Sequence, residues 1–136
     1  MRLAAGVIII EGDHILLVYE KGRWGLPKGK RERHESMKET AIREAKEETG
    51  LDVSATRVAF VTEFVKTYGR HYLQVYYEAK ITGGEIELND PDQDIEAIEF
   101  KPLKDIDHYL SFKPRLIPLK QWIKEGKTAY HFFNLV

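Results

Sequence analysis

The segment Gly29–Leu51 constrains this chain most, because it encodes one helix whose acids fall at the unfavourable end. Ser36 followed three residues on by Glu39 is a capping box, in which each side chain satisfies the other's backbone N–H, and it sets the helix start at Met37. Gly50 is the natural stop, since glycine takes the left-handed conformation that closes many helices. Glu44, Glu47 and Glu48 then occupy the last two turns, where the partial negative charge of the helix end disfavours each by roughly 0.3–1 kcal/mol. Spacings of three and four set Glu44 beside both others, at roughly 0.2–0.5 kcal/mol per like pair. Arg43 and Lys46 offset part of this, but at about 100° per residue neither lies on the same arc. Met37, Ala41 and Ala45 form an apolar stripe. Glu48 projects between Met37 and Ala41, Glu44 borders the stripe and Glu47 lies further round. Lys38, Glu39, Arg43 and Lys46 take the solvent-facing surface. Two readings fit: a solvated acidic face, or a cradle for a divalent cation, which reverses the sign of these costs.

The rest of the chain sets bounds. A length of 136 residues favours a single domain over 1–136. The formal net charge of -1 gives no electrostatic case for broad nucleic-acid or membrane binding. There is no Cys, hence no disulfide framework or thiolate zinc site. No apolar run approaches the ~20 residues of a membrane helix. The apolar start reads as a strand rather than a signal peptide, so the cytoplasm is the default location.

Leu3–Ile10 and His14–Glu20 are apolar runs around Glu11-Gly12-Asp13, a hairpin signal with burial on both faces. Strands are expected at Val53–Val65, His71–Ile81 and Ile95–Phe100, with a short edge strand at Glu85–Leu88. A short helix is expected at Lys104–Tyr109 and an amphipathic one at Pro114–Lys124, closed by Gly126. Ala129–Val136 is too apolar for a free tail and should pack on the core or on a second copy, so a monomer or a homodimer is expected. Many strands with one central and one terminal helix give a mixed sheet between helices.

Gly29, five residues, Glu35, seven residues and Arg43-Glu44-Ala45-Lys46-Glu47-Glu48-Thr49-Gly50-Leu51 together resemble the Nudix box of the Nudix hydrolases. Every fixed polar and glycine position is matched. Ala45 stands where the family more often has Ile, Leu or Val, which suggests close helix–sheet approach. The resemblance implies an α/β/α sandwich (α+β) with a mixed central sheet. It implies Mg²⁺, with Mn²⁺ as a possible substitute, held by Glu44, Glu47, Glu48 and the Gly29 carbonyl. One of Glu47 and Glu48 would also polarise water, and Arg43 would orient the glutamates. Glu35 is either an outer metal or substrate residue or a charge that compensates the helix start. An acid from a distant loop is expected as well: Asp94, which precedes Phe100, is preferred over Asp92 and Glu96, with a solvated acidic turn as the alternative.

Leu26-Pro27-Lys28-Gly29 resembles diadenosine polyphosphate and RNA 5′-pyrophosphate hydrolases and puts Lys28 on phosphate, whereas Lys30 reads as solvated. Those relatives usually carry Glu-Pro-Gly-Glu where this chain has Glu32-Arg33-His34-Glu35, so the extra basic residues either bind phosphate or alter the turn. Arg70 and Tyr76 are candidates to grip a base, along with Tyr68, His71 and Tyr72, although tyrosines on strands are usually packing residues. The expected reaction is water attack on a diphosphate linkage of a nucleotide-like small molecule, a dinucleoside polyphosphate or nucleoside triphosphate first. RNA 5′ ends, ADP-ribose or nucleotide sugars and inositol pyrophosphates follow. The rival class is a nucleotide-sensing module without turnover.

Overall fold

The apolar run at the start of the chain divides between two sheets. In the computed structural model, which describes residues 1–136, β1 (Arg2–Ile8) joins one sheet and β2 (Ile10–Glu11) the other, with fully buried Ile9 at the switch. The expected hairpin shrinks to β2 on the first residues of β3 (His14–Glu20), Ile10 opposite Ile15. Both runs are apolar throughout because both faces are covered, by different layers.

Five strands form the larger, mixed sheet: β5 (Lys28–Lys30), β1, β7 (Arg70–Gly84), β6 (Leu51–Lys66) and β9 (Ala129–Asn134), in that order. β1–β7 and β6–β9 are parallel, while β1–β5 and β6–β7 are antiparallel. In the smaller sheet β3 pairs with β8 (Ile95–Pro102) along its length, and with β2 and β4 (Arg23–Gly25) in succession. Helix α1 (Met37–Thr49) lies on β1 and β6; α3 (Lys113–Glu125) lies on β6 and β9, after the short α2 (Ile106–Tyr109). The layers are helix, sheet and helix, as expected for an α+β sandwich, with the strands split into two sheets.

Alternate residues of the same strands feed two cores. Val7, Leu16 and Val18 pack with Ala41 and Ala45 of α1. Ile8, Ile15 and Leu17 pack with Phe60, Tyr76, Leu119 and Trp122 beneath α3. Ala5, Ala41 and Ala45 are completely buried, so the small residue at 45 does accompany close helix–sheet packing. The edge strand expected at Glu85–Leu88 is absent. β7 runs on to Gly84 to pair with Leu51, and the chain then crosses the end of α1, where the Glu87 N–H donates to the Thr49 carbonyl at 3.0 Å. The apolar C-terminus is used as β9, an edge strand on β6 with Tyr130 and Phe132 facing outward. No helix is long and apolar enough to cross a membrane.

Candidate active site

Two glycines without room for a side chain bring the site together. Gly6 of β1 faces Lys28 of β5, and a Cβ on Gly6 would fall 2.4 Å from the Pro27 carbonyl oxygen and 2.7 Å from Lys28 Cβ. The Val7 N–H donates to that same carbonyl at 3.0 Å. A Cβ on Gly29 would fall 1.4 Å from the Glu44 Oε2. The bare backbone of Gly29 is therefore what lets β5 lie against the carboxylates of α1.

Helix α1 forms as its sequence dictates. The Glu39 N–H donates to Ser36 Oγ at 3.0 Å and the Ser36 N–H to Glu39 Oε1 at 2.9 Å, while Gly50 closes the helix in the left-handed region. Of the basic residues expected to face solvent, Lys46 does, pairing with Asp52 at 3.2 Å. Arg43 does not. Its guanidinium folds back and donates from Nε to Glu35 at 2.6 Å, from Nη2 to Glu35 at 3.1 Å and to the Lys30 carbonyl at 2.9 Å, and from Nη1 to Glu44 at 3.3 Å and Glu47 at 3.1 Å. A long side chain thus bridges the arc that helical angles alone put out of reach. Glu35 also accepts from the Thr40 hydroxyl and the Glu32 N–H, both at 2.9 Å. The Arg43 guanidinium holds the Glu35 carboxyl down at about 2. Glu35 does not line the cleft; it is the fixed counterion of Arg43.

Glu48 is 8% exposed, as its place beside the alanine stripe implied. It accepts the Lys28 backbone N–H at 3.1 Å. Burial, and then the nearby Glu20 carboxylate, push it up to about 9. Burial, and then the neighbouring Glu47, push Glu44 up to about 7. Lys28 is drawn down to about 8, by burial and then by Arg115. No three acids stand together as a ready-made metal-ligand group, since Arg43 holds Glu44 and Glu47 while the Lys28 N–H holds Glu48. The donor set nonetheless fits a hard divalent ion: three oxygen donors on one rigid helix, two of them raised by burial and mutual repulsion that a doubly charged cation relieves.

These residues line an open cleft of about 560 Å³ that no hydrophobic residue enters and that includes Glu20, Lys28, Gly29, Arg43, Glu44, Glu47 and Glu48. Asp92 and Asp94 also reach it, but Glu96 does not. Arg33 and His34 lie outside it. The turn is what they alter, with His34 at φ 71 and the Glu35 N–H on the Glu32 carbonyl at 3.1 Å. Lys30 lines the rim and is exposed. Arg70 is not brought in: it opens β7, six residues or about 20 Å of strand from Tyr76. Tyr76 is fully buried, stacked on Phe60 at 4.9 Å, and offers no surface to a ligand. Its hydroxyl donates to Gln74 Oε1 at 2.8 Å, and the same oxygen accepts from Arg115 at 3.1 Å. Glu20 and Arg115 were not foreseen. Neither belongs to a motif in its own stretch of sequence, and only the fold carries it to the site.

The NUDIX domain family model matches residues 1–123. The nudix hydrolase 1 of Caenorhabditis elegans is 30% identical over 112 residues, 76% of this chain and 29% of that protein. An ADP-ribose pyrophosphatase from Streptococcus suis 89-1591 superposes with a TM-score of 0.73 at 28% identity, over 96% of this chain and 98% of that one. A MutT protein from Bacillus halodurans shares the fold, with a TM-score of 0.83 at 22% identity over 99% of this chain and 91% of that one. The chain spans 16% to 40% of the length of the curated relatives it matches.

Proposed function

The chain belongs to the Nudix family, and from that premise we propose that it hydrolyses a phosphoanhydride linkage in a nucleoside diphosphate-X substrate, with Mg²⁺ as its ion and Mn²⁺ as a substitute. The observation that carries this reading is the packing of Glu44 on the bare backbone of Gly29, with Glu47 and Glu48 lining the same polar cleft. A divalent cation held by the three glutamates would neutralise the diphosphate and stabilise charge that builds on its oxygens. The chain's own groups do the rest. Gly29 leaves room for the Glu44 carboxylate against β5. Arg43, locked by Glu35, fixes the rotamers of Glu44 and Glu47. Glu47 or Glu48 takes the proton of a water whose oxygen attacks phosphorus. The bridging P–O bond breaks, and its electron pair leaves on the departing phosphate. Lys28 and Asp94 stand at the cleft for the phosphate chain and for the ion, respectively.

Within this class, dinucleoside polyphosphates and nucleoside triphosphates lead, because Lys28 sits where the Leu-Pro-Lys-Gly approach puts a cation beside the scissile group. RNA 5′ ends, ADP-ribose, nucleotide sugars and inositol pyrophosphates are the competitors. The test is a panel of these compounds incubated with the protein and Mg²⁺ in ¹⁸O water, with products identified by mass. The expected result is metal-dependent cleavage with the label on a product phosphate. Binding of a nucleotide without cleavage in either metal would instead favour a sensing module.

A further inference from the structure

A second pocket adjoins the carboxylate cleft and carries the opposite charge. It is small, about 140 Å³, and shares Glu20, Lys21 and Lys28 with the cleft. Its further wall adds Arg23, Trp24, Phe112 and Arg115. Four cationic side chains thus meet one acid, Glu20. None of Lys21, Arg23, Lys28 and Arg115 takes part in any ion pair of the protein. Arg43, one helix away, has four acidic partners. Lys28 and Arg115 are half-buried, so holding them together with Arg23 is repulsive, and a bound anion reverses the sign.

The aromatic rings beside this pocket are already engaged. Lys101 Nζ lies 4.5 Å from the centre of the Trp24 ring, and Tyr19 and Tyr109 meet it edge-on at 5.2 and 6.0 Å. The Phe112 ring carries Arg115 at 4.4 Å and Lys66 at 5.1 Å. A nucleobase would find these faces occupied, whereas none of the four cations is ion-paired. Arg115 is also held in place. Gln74 accepts from it and from Tyr76, so one edge of the guanidinium is fixed and the rest is free to fork onto phosphate.

We propose that Arg23, Lys28 and Arg115 form a binding site for a phosphate group beyond the two that flank the scissile bond, so that the enzyme selects substrates with phosphoanhydride chains of three or more phosphates. Lys28, which lines both compartments, marks the passage from the cleaved diphosphate to this third group. The proposal rests on the hydrolase reading above.

The test compares kcat/KM on diadenosine di-, tri- and tetraphosphate for the wild type, Arg115→Ala and Arg23→Ala. Inhibition by inorganic pyrophosphate and tripolyphosphate is measured in parallel. The wild type should prefer three or more phosphates and bind tripolyphosphate more tightly than pyrophosphate. In both variants the ratio of long-chain to diphosphate kcat/KM should fall about tenfold through KM, as loss of a charged hydrogen-bond donor predicts. Tripolyphosphate affinity should fall with it. Arg23 is exposed, so its variant keeps the test open if Arg115→Ala fails to fold. An unchanged ratio, or tripolyphosphate binding indifferent to both arginines, overturns the site. If no phosphoanhydride is cleaved, the hydrolase reading fails, and tripolyphosphate binding measured by calorimetry still decides the anion site.

Discussion

Glu48 is an acid buried where its charged form is strongly disfavoured. Its carboxyl stands at about 9 in the folded protein, against roughly 4.3 for a free glutamate. The folded state therefore keeps a proton that the unfolded chain gives up. Stability from this group is complete below the unfolded value and declines as pH rises through the window up to about 9. Glu44, raised to about 7, adds to the same slope over the lower part of that window. Glu48→Gln should flatten the decline in chelator-treated protein and raise Tm at pH 8 by roughly 2–8 °C. Thermal melts from pH 5 to pH 9 measure it, and a variant that melts with the wild-type pH profile contradicts it. The burial of Glu48 was legible in the sequence, from helical angles and two alanines. The saturation of Arg43 was not, because a flexible side chain reaches acids that a wheel of Cβ directions sets apart. Nor was Arg115, whose partner Gln74 lies 41 residues away.

At the scale of elements, α1 and the loop before it are the best-determined part of the chain. Cap, stop and apolar stripe all stand where residue chemistry put them, since each depends on neighbours within one turn. The loop carries a strained residue, and the structure gives the cost: His34 holds φ 71, a left-handed conformation that glycine adopts freely. His34→Gly should therefore stabilise the protein by about 1 kcal/mol. Urea unfolding checks this, and since His34 lies outside the cleft, KM for a phosphoanhydride substrate should not move. The strands were less legible. Their positions emerged from alternation and apolar runs, but the switch of the first run between sheets at Ile9 has no local signal. The expected edge strand at Glu85–Leu88 failed because β7 used Ile81–Gly84 to pair with the start of β6, a choice made by long-range register.

The whole molecule is a frame that presses β5 against the end of α1. One core seats α1, the other seats α3 and with it Arg115. The site sits where these two halves meet, an acidic cleft beside a basic pocket. The sequence made the acidic half readable because one helix supplies it. The basic half comes from β4, β5 and α3, and no spacing along the chain encodes that. The proposed role of the α1 acids is to serve a divalent cation in cleaving a phosphoanhydride. Its most direct test is steady-state hydrolysis of diadenosine tetraphosphate with Mg²⁺ by the wild type, Glu47→Gln and Glu48→Gln, each confirmed folded. Wild-type turnover should be abolished by chelation and restored by Mg²⁺ or Mn²⁺, with a loss of about 10²-fold or more in each variant. Undiminished, chelator-resistant turnover in both variants would contradict it.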